Sequence, residues 1–251
     1  MMRIVSAFEG YTIGATDDII GRVVDLYFDD RAWTLRYIVV ETGRWLASRK
    51  VLISPIAIGT PNQSEGVLPA SITRDQVRNS PVIDTERPVS RQQEEQFLSY
   101  YGYPNYWVGG AMLGAPSLQD ARSVPQTQRH RRDDHHLRSV RVVMRYHIRA
   151  ADGDVGHVQD MLVEDGTWAI RYLIVNTSNW WLGHAVLVSP HWISEVNWAD
   201  ETVTVNLTRD AIRAAPPYTV QTQLDRIEEE TLHKHYAREV YWGQQNDQRH
   251  R

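Results

Sequence analysis

Residues 35–55 read LRYIVVETGRWLASRKVLISP, and residues 170–190 read IRYLIVNTSNWWLGHAVLVSP. The two stretches align without a gap. Their offset, 168 − 33 = 135 when taken at Trp33 and Trp168, also pairs Tyr11 with Tyr146, Gly21 with Gly156, Asp25 with Asp160, Arg36 with Arg171 and Pro81 with Pro216. It continues through ITRDQVRNSP from Ile72 against LTRDAIRAAP from Leu207, and through SYYGYPNYW ending at Trp107 against KHYAREVYW ending at Trp242. A register that never slips is an internal duplication, and in a chain of 251 residues it implies two domains.

Each copy reads as β. Tyr37 to Val40 and Val51 to Ile53 are short apolar, β-branched runs matched by Tyr172 to Val175 and Val186 to Val188. Leu68, Ala70 and Ile72 alternate, as do Val203, Val205 and Leu207. Turn signals such as FDDRAW, ETGRW, ADGDVG and EDGTW separate them. Many short strands at close spacing predict a small closed or nearly closed barrel, which leaves no long sheet edge. Pro69, which has no N–H to donate, is expected at an edge or bulge.

After the strands, Thr73 and Gln76 have the spacing of a capping box for a short helical turn. Ser90 with Gln93, and Asp225 with Glu228, predict the start of a longer helical arm in both copies. Apolar positions Phe97 and Tyr101, and Ile227, Thr231, Leu232, Tyr236 and Val240, fall at helical steps. The second arm lacks the Gly-x-Pro break of the first, so a longer continuous helix is expected there. The fold class is therefore mainly β: two small barrels in tandem, each followed by a short helical turn and a helical arm. The boundaries read 1–82 for the first barrel, 83–110 for its aromatic arm, 111–137 for a polar flexible linker, 138–217 for the second barrel and 218–251 for the second arm.

A formal charge of −4 and a pI near 6.2 give no strong positive field to draw the chain to nucleic acid or an anionic membrane. No window reaches the roughly 18 apolar residues of a membrane span, so a soluble, cytoplasmic protein is expected, with membrane association only through a partner. The absence of cysteine excludes disulfides and a thiol nucleophile. Ser54-Pro55 and Ser189-Pro190 recur without a nucleophile elbow, and the repeated Asp17 and Asp30 sit in turns, so no catalytic residue is assigned. His130, His135 and His136, and His233 and His235, lack one-face ligand spacing and read as surface histidines, so neither metal nor cofactor is expected. Asp25 with Arg36, and Asp160 with Arg171, lie in apolar β segments and are candidates for ion pairs that fix strand register.

What differs between the copies is the loop: Arg44, Trp45 and Arg49 in the first, Trp180 and Trp181 in the second. The basic loop reads as a solvated one, since the second copy offers no matching cations and hence no continuous basic track. Exposed tryptophan is a common anchor for a partner surface. The arms add Tyr101, Tyr106 and Trp107, and Tyr236, Tyr241 and Trp242, more ring surface than a short helix covers by itself. These residues are the partner-binding candidates, for a foreign protein or for a second copy in a homodimer.

Taken together, Gly21-x-Val23-x-Asp25, Asp29-Asp30, Trp33, RYIVV, VLISP, ITRDQVRNSP and YYGYPNYW resemble the PRC-barrel family, and the stretch from Gly156 to Trp242 resembles the same module again. The resemblance implies a small β-barrel that serves docking or assembly, as in the cytoplasmic part of the photosynthetic reaction-centre H subunit, in the C-terminal half of a ribosome maturation factor and in stand-alone bacterial proteins. It supplies no catalytic residues. Three functions follow as expectations: a protein-interaction or assembly module, a peripheral factor of a photosynthetic or electron-transfer complex, and an RNA- or ribosome-associated adaptor.

Overall fold

The computed structural model describes residues 1–62, 64–82, 89–107, 136–177, 184–219 and 224–242. The protein is mainly β and carries two sheets whose elements correspond at the 135-residue offset. In the first repeat these are β2 (Thr12–Gly14), β3 (Ile19–Asp29), β4 (Thr34–Thr42), β5 (Lys50–Ile53) and β6 (Val67–Pro69), then α1 (Arg74–Asn79) and the arm helix α2 (Arg91–Tyr101). In the second they are β8 (His147–Ala150), β9 (Gly153–Glu164), β10 (Ile170–Asn176), β11 (Ala185–Val188), β12 (Ile193–Asn197) and β13 (Thr202–Val205), then α4 (Arg209–Arg213) and the arm helix α5 (Arg226–His235). Each repeat is preceded by a three-residue leader strand, β1 (Met2–Ile4) or β7 (Leu137–Ser139), and α3 (Val140–Val143) follows the second leader.

The first sheet runs β5-β4-β3-β2-β6 and the second β11-β10-β9-β8-β13-β12. β2–β3 and β4–β5 in the first sheet, and β8–β9, β9–β10, β10–β11 and β12–β13 in the second, are antiparallel, whereas β2 with β6 and its equivalent β8 with β13 are parallel. Pro69 closes β6, opposite Gly14 in that parallel pair, an end position that needs no further N–H.

The apolar runs are continuous because both faces of these strands are covered. Tyr37, Val39 and Leu52 pack with Phe97 and Leu98 of α2, with Val89 and with Leu137, while Ile38 and Val40, on the alternate face, are buried too. Gly21 and Gly156 permit the tightest strand contact in each sheet. A Cβ at Gly21 would stand 2.0 Å from the Glu41 carbonyl oxygen, and one at Gly156 would stand 1.9 Å from that of Asn176.

The compact units do not follow the boundaries read from the sequence. One unit comprises Gly10–Arg31 and Arg36–Arg138; the other comprises Met1–Glu9, Ala32–Leu35 and Ser139–Arg251. The leader strands account for part of the difference: β1 pairs with β9, and β7 pairs with β3, so each sheet takes its extra strand from the other repeat's stretch of sequence. Residues 32–35 join the second-repeat unit through reciprocal bonds. Leu35 N–H donates to the Trp168 carbonyl at 2.9 Å, and Ile170 N–H donates to the Trp33 carbonyl at 2.7 Å. Both tryptophans hold left-handed backbone, φ 47° and 58°, which side-chain-bearing residues seldom adopt.

Tyr106 Oη lies 3.0 Å from His136 Nε2, so the described residues on the two sides of the stretch read as a linker meet within one unit. His136 and Leu137, assigned to that linker, are buried residues of the first-repeat unit. The rest of it lies outside the described residues.

Capping boxes form at Thr73/Gln76, Ser90/Gln93 and Asp225/Glu228 as their spacing predicts. The second arm is no longer than the first. Gly102 ends α2 in left-handed backbone at φ 69°, and Ala237, its equivalent, does the same after α5 at φ 50°. In both, the next N–H reaches back to close the helix: Tyr103 to the Leu98 carbonyl at 2.8 Å and Arg238 to that of His233 at 2.9 Å. The helix stops there because its last carbonyls need partners, and an alanine is made to take a glycine's conformation.

Candidate functional site

After the left-handed turn each arm sends a Tyr-Trp pair back over its own unit. In the first-repeat unit Glu94, on α2, is fully buried at 0% exposure. It accepts hydrogen bonds from the Tyr37 hydroxyl at 3.0 Å and the Tyr106 hydroxyl at 2.6 Å, and its other oxygen lies 2.9 Å from His136 Nε2. The guanidinium of Arg36 lies over the Tyr106 ring, 3.8 Å from its centroid, and that of Arg91 lies 5.2 Å from it. Arg91 also covers Trp107 at 4.4 Å and stands 3.5 Å from Glu94 and 3.7 Å from Asp29. Tyr106 thus meets two cations at its ring and a carboxylate at its hydroxyl.

The second repeat builds the same cluster. Glu229, 2% exposed, accepts from the Tyr172 and Tyr241 hydroxyls, each at 2.9 Å. Arg171 lies over Tyr241 at 4.2 Å and Arg226 over Trp242 at 4.4 Å. Arg226 further donates to the Tyr241 hydroxyl at 2.7 Å and to Glu229 at 3.1 Å. The histidine here is His233, whose Nε2 lies 3.0 Å from the Tyr172 hydroxyl and whose Nδ1 lies 2.7 Å from the Glu239 carbonyl oxygen.

Burial governs the electrostatics. It raises the phenols of Tyr37, Tyr106, Tyr172 and Tyr241 well above their ordinary range, with the neighbouring glutamate adding to the effect. It also raises the carboxyl of Glu229 and lowers the imidazole of His233. A neutral His233 that donates from Nδ1 to Glu239 keeps Nε2 as an acceptor. The Tyr172 hydroxyl then has one proton and two acceptors, Nε2 and Glu229, and a protonated Glu229 would satisfy both contacts. Every group in the arrangement contacts another member of the cluster.

Several readings from sequence change. His136 and His233 are not surface histidines: they are 1% and 3% exposed, because each is the nitrogen partner of a buried tyrosine–glutamate set. Asp160 and Arg171 are not partners. Asp160 faces Ile174 across the strands and accepts from the Ser6 and Met161 backbone N–H groups at 3.2 and 2.7 Å, while Arg171 pairs with Glu164 at 2.5 Å. Burial works to raise Glu164, but Arg171 and Thr167 bring it below the usual range. In the first repeat Arg36 stacks on Tyr106, and Asp25 accepts from the Leu26 backbone N–H at 2.8 Å.

The other candidates fall in different places. Tyr101 stacks on Tyr103 with centroids 5.6 Å apart, and burial pushes its phenol up to about 12. Tyr236 is buried 4.8 Å from Trp192. Trp45 folds back, donating from Nε1 to the Ile20 carbonyl at 2.8 Å beneath the Arg74 guanidinium at 4.4 Å. Arg49 donates to the Val77 carbonyl at 3.2 Å, and Arg44 is exposed. Trp180 and Trp181 lie outside the described residues. Among the described residues no group of His, Asp and Glu is arranged to hold a metal, and no helix is long and apolar enough to cross a membrane. The cluster was within reach of the repeat: Arg91 with Arg226, Glu94 with Glu229 and Tyr37 with Tyr172 are identical at the offset.

Comparison with known proteins adds a family and a relative. The PRC-barrel domain family matches residues 5–66. An uncharacterised protein of Deinococcus radiodurans is 32% identical over 106 residues, which is 37% of this chain and 38% of that protein. The match therefore spans well under half of the relative's length.

Proposed function

The first repeat carries a PRC-barrel domain, and on that premise we propose that the protein is a non-enzymatic assembly module of the cytoplasm that docks onto a protein partner. The observation that carries this reading is the duplicated latch. In both repeats the buried carboxylate, hydroxyls, imidazole and guanidinia hold an aromatic arm against its own unit, which makes each arm part of a preformed surface. A preorganised surface loses little entropy on binding. The outer side of the arm helices is what it offers: Ile227 is 73% exposed on α5, and Tyr100 is exposed on α2.

The test is cross-linking of the full chain in cells, with the partner attached through α2 or α5. Ile227→Asp should abolish that cross-link while leaving the unfolding midpoint unchanged, and Tyr100→Ala should abolish it with a lower midpoint, since the Tyr100 hydroxyl also donates to the Gln76 carbonyl at 2.9 Å. A reproducible turnover lost on substitution of a single Asp or His would replace this reading with an enzyme. A partner in a photosynthetic or other electron-transfer complex is the special case that the resemblance to the H subunit suggests, and recovery with membranes only when that partner is present would establish it. The RNA reading is weakened at the basic loop, where Arg49 is turned onto the Val77 carbonyl.

A further inference from the structure

The two leader strands are equivalents that have changed places. β1 and β7 correspond at the offset of 135, yet β1 pairs with β9 and β7 with β3, where β3 and β9 are themselves equivalents. Each repeat therefore carries both a strand and a seat for a strand of its own kind. The seat on β9 is well defined: Met2 faces Glu164, Arg3 faces Val163 and Ile4 faces Leu162, antiparallel. Arg3 pairs with Asp165 at 2.6 Å, the Ser6 N–H donates to Asp160 at 3.2 Å, and Val5 and Phe8 are buried, Phe8 with its ring 5.8 Å from Trp168. The chain leaves this unit between Glu9 and Gly10. Gly10 has φ +78°, and a Cβ there would meet nothing within 4 Å, so the crossing point is a glycine in a conformation that few other residues share.

We propose that Met1–Glu9 is a docking strand and that the partner it fits is a second copy of this chain: two chains trade these segments, each seating its own along β9 of the other in the register the chain uses for itself. The strand pairing, the Arg3–Asp165 ion pair, the Ser6–Asp160 bond and the Phe8–Trp168 contact all run between the segment and the second-repeat unit, so a segment from another chain can make the same contacts. Exchange of an identical element is a low-cost route to a dimer, because the interface already exists within one chain. The connection within one chain favours the monomer through its high effective concentration, so the dimer is reached with rising protein concentration or when the hinge is strained. This inference deepens the assembly reading and rests on it.

The chain has no cysteine, which makes the test direct. Full-length Arg3→Cys and full-length Val163→Cys are mixed, warmed to let the segments open, and oxidised. A disulfide-linked species of twice the chain mass should form in the mixture and in neither variant alone. Gly10→Pro, which cannot hold φ +78°, should raise the dimer fraction in light scattering. The double variant Arg3→Cys/Val163→Cys should close within one chain. A mixture that stays unlinked at every concentration overturns the proposal, and so does a double variant that fails to close, because the seat is then not where the strand docks. Neither result depends on whether Gly10→Pro folds. Loss of exchange with the α2 or α5 cross-link intact removes this inference alone; loss of that cross-link with exchange intact removes the foreign partner alone.

Discussion

The Tyr172 hydroxyl lies 3.0 Å from Nε2 of His233, a ring whose other nitrogen is engaged by the Glu239 carbonyl at 2.7 Å. Burial lowers the His233 pKa, and it lowers that of His191 too, with Arg171 adding to the second shift. The folded state then binds fewer protons than the unfolded chain below the ordinary histidine value, so stability falls as pH drops through about 6.5. Glu229 acts in the opposite sense: its raised carboxyl favours the protonated folded form, and its contribution is lost as pH rises through the folded value. Urea unfolding of the wild type between pH 7.5 and 5 should show stability falling with acid, and His233→Gln should flatten that slope.

Glu229 and Glu94 each take two tyrosine hydroxyls. Replacing either with alanine strands both hydroxyls and a guanidinium, and should cost about 3–5 kcal/mol in urea denaturation. Glutamine keeps an acceptor oxygen in place and should cost about 1–2 kcal/mol. An equal loss for both substitutions would show that the carboxyl acts through its charge and not as an acceptor.

Ala237 holds left-handed backbone where Gly102 stands in the first repeat. Ala237→Gly should stabilise the protein by about 1 kcal/mol, and Gly102→Ala should destabilise it by about 1–2 kcal/mol. Unfolding midpoints of the two variants, which should move in opposite directions, check this.

The strands that cross at Gly156 leave no room for a methyl group, with the Asn176 carbonyl 1.9 Å from the Cβ position. Gly156→Ala should force β9 and β10 apart at a cost of about 3 kcal/mol or more. Amide exchange should quicken along both strands.

Because Tyr106 and His136 meet, residues 110–133 are not needed to span any distance between the units. Six Gly/Ser residues reach about 20 Å when extended. The chain with that replacement should keep its circular dichroism spectrum and unfold within about 1 kcal/mol of the wild type, since loop-closure entropy changes slowly with length.

How much of this was legible depends on which residues carry it. The offset placed strands, turns and caps correctly because each is a local preference written twice: Ser90 and Gln93 need only one another. The order of the strands within each sheet was not read from the sequence and comes from the structure. The exchange of β1 and β7 left no trace, since a three-residue strand has the same pattern whichever edge receives it, and the choice belongs to tertiary structure. His136 and His233 escaped for another reason. The offset pairs His233 with Leu98, so two histidines from unrelated positions serve equivalent clusters, and repetition cannot reveal a match that the sequence does not repeat. Arg171 misled because an apolar strand with one charge suggests its aspartate neighbour in the pattern, whereas its guanidinium reaches Glu164 and the arm.

The seating of Met2–Ile4 against Leu162–Glu164 also sets a timetable for the nascent chain. Once made, Met2–Ile4 find their partner strand only after some 160 more residues have been added, roughly 8 to 30 seconds at about 5–20 residues per second. Through that interval Val5 and Phe8 remain uncovered, and the first sheet lacks its strand until Ser139 has been made. Synthesis from one end thus yields half a protein that is not half folded, and a translational pause inside the first repeat would lengthen the exposure of its apolar leader more than one inside the second.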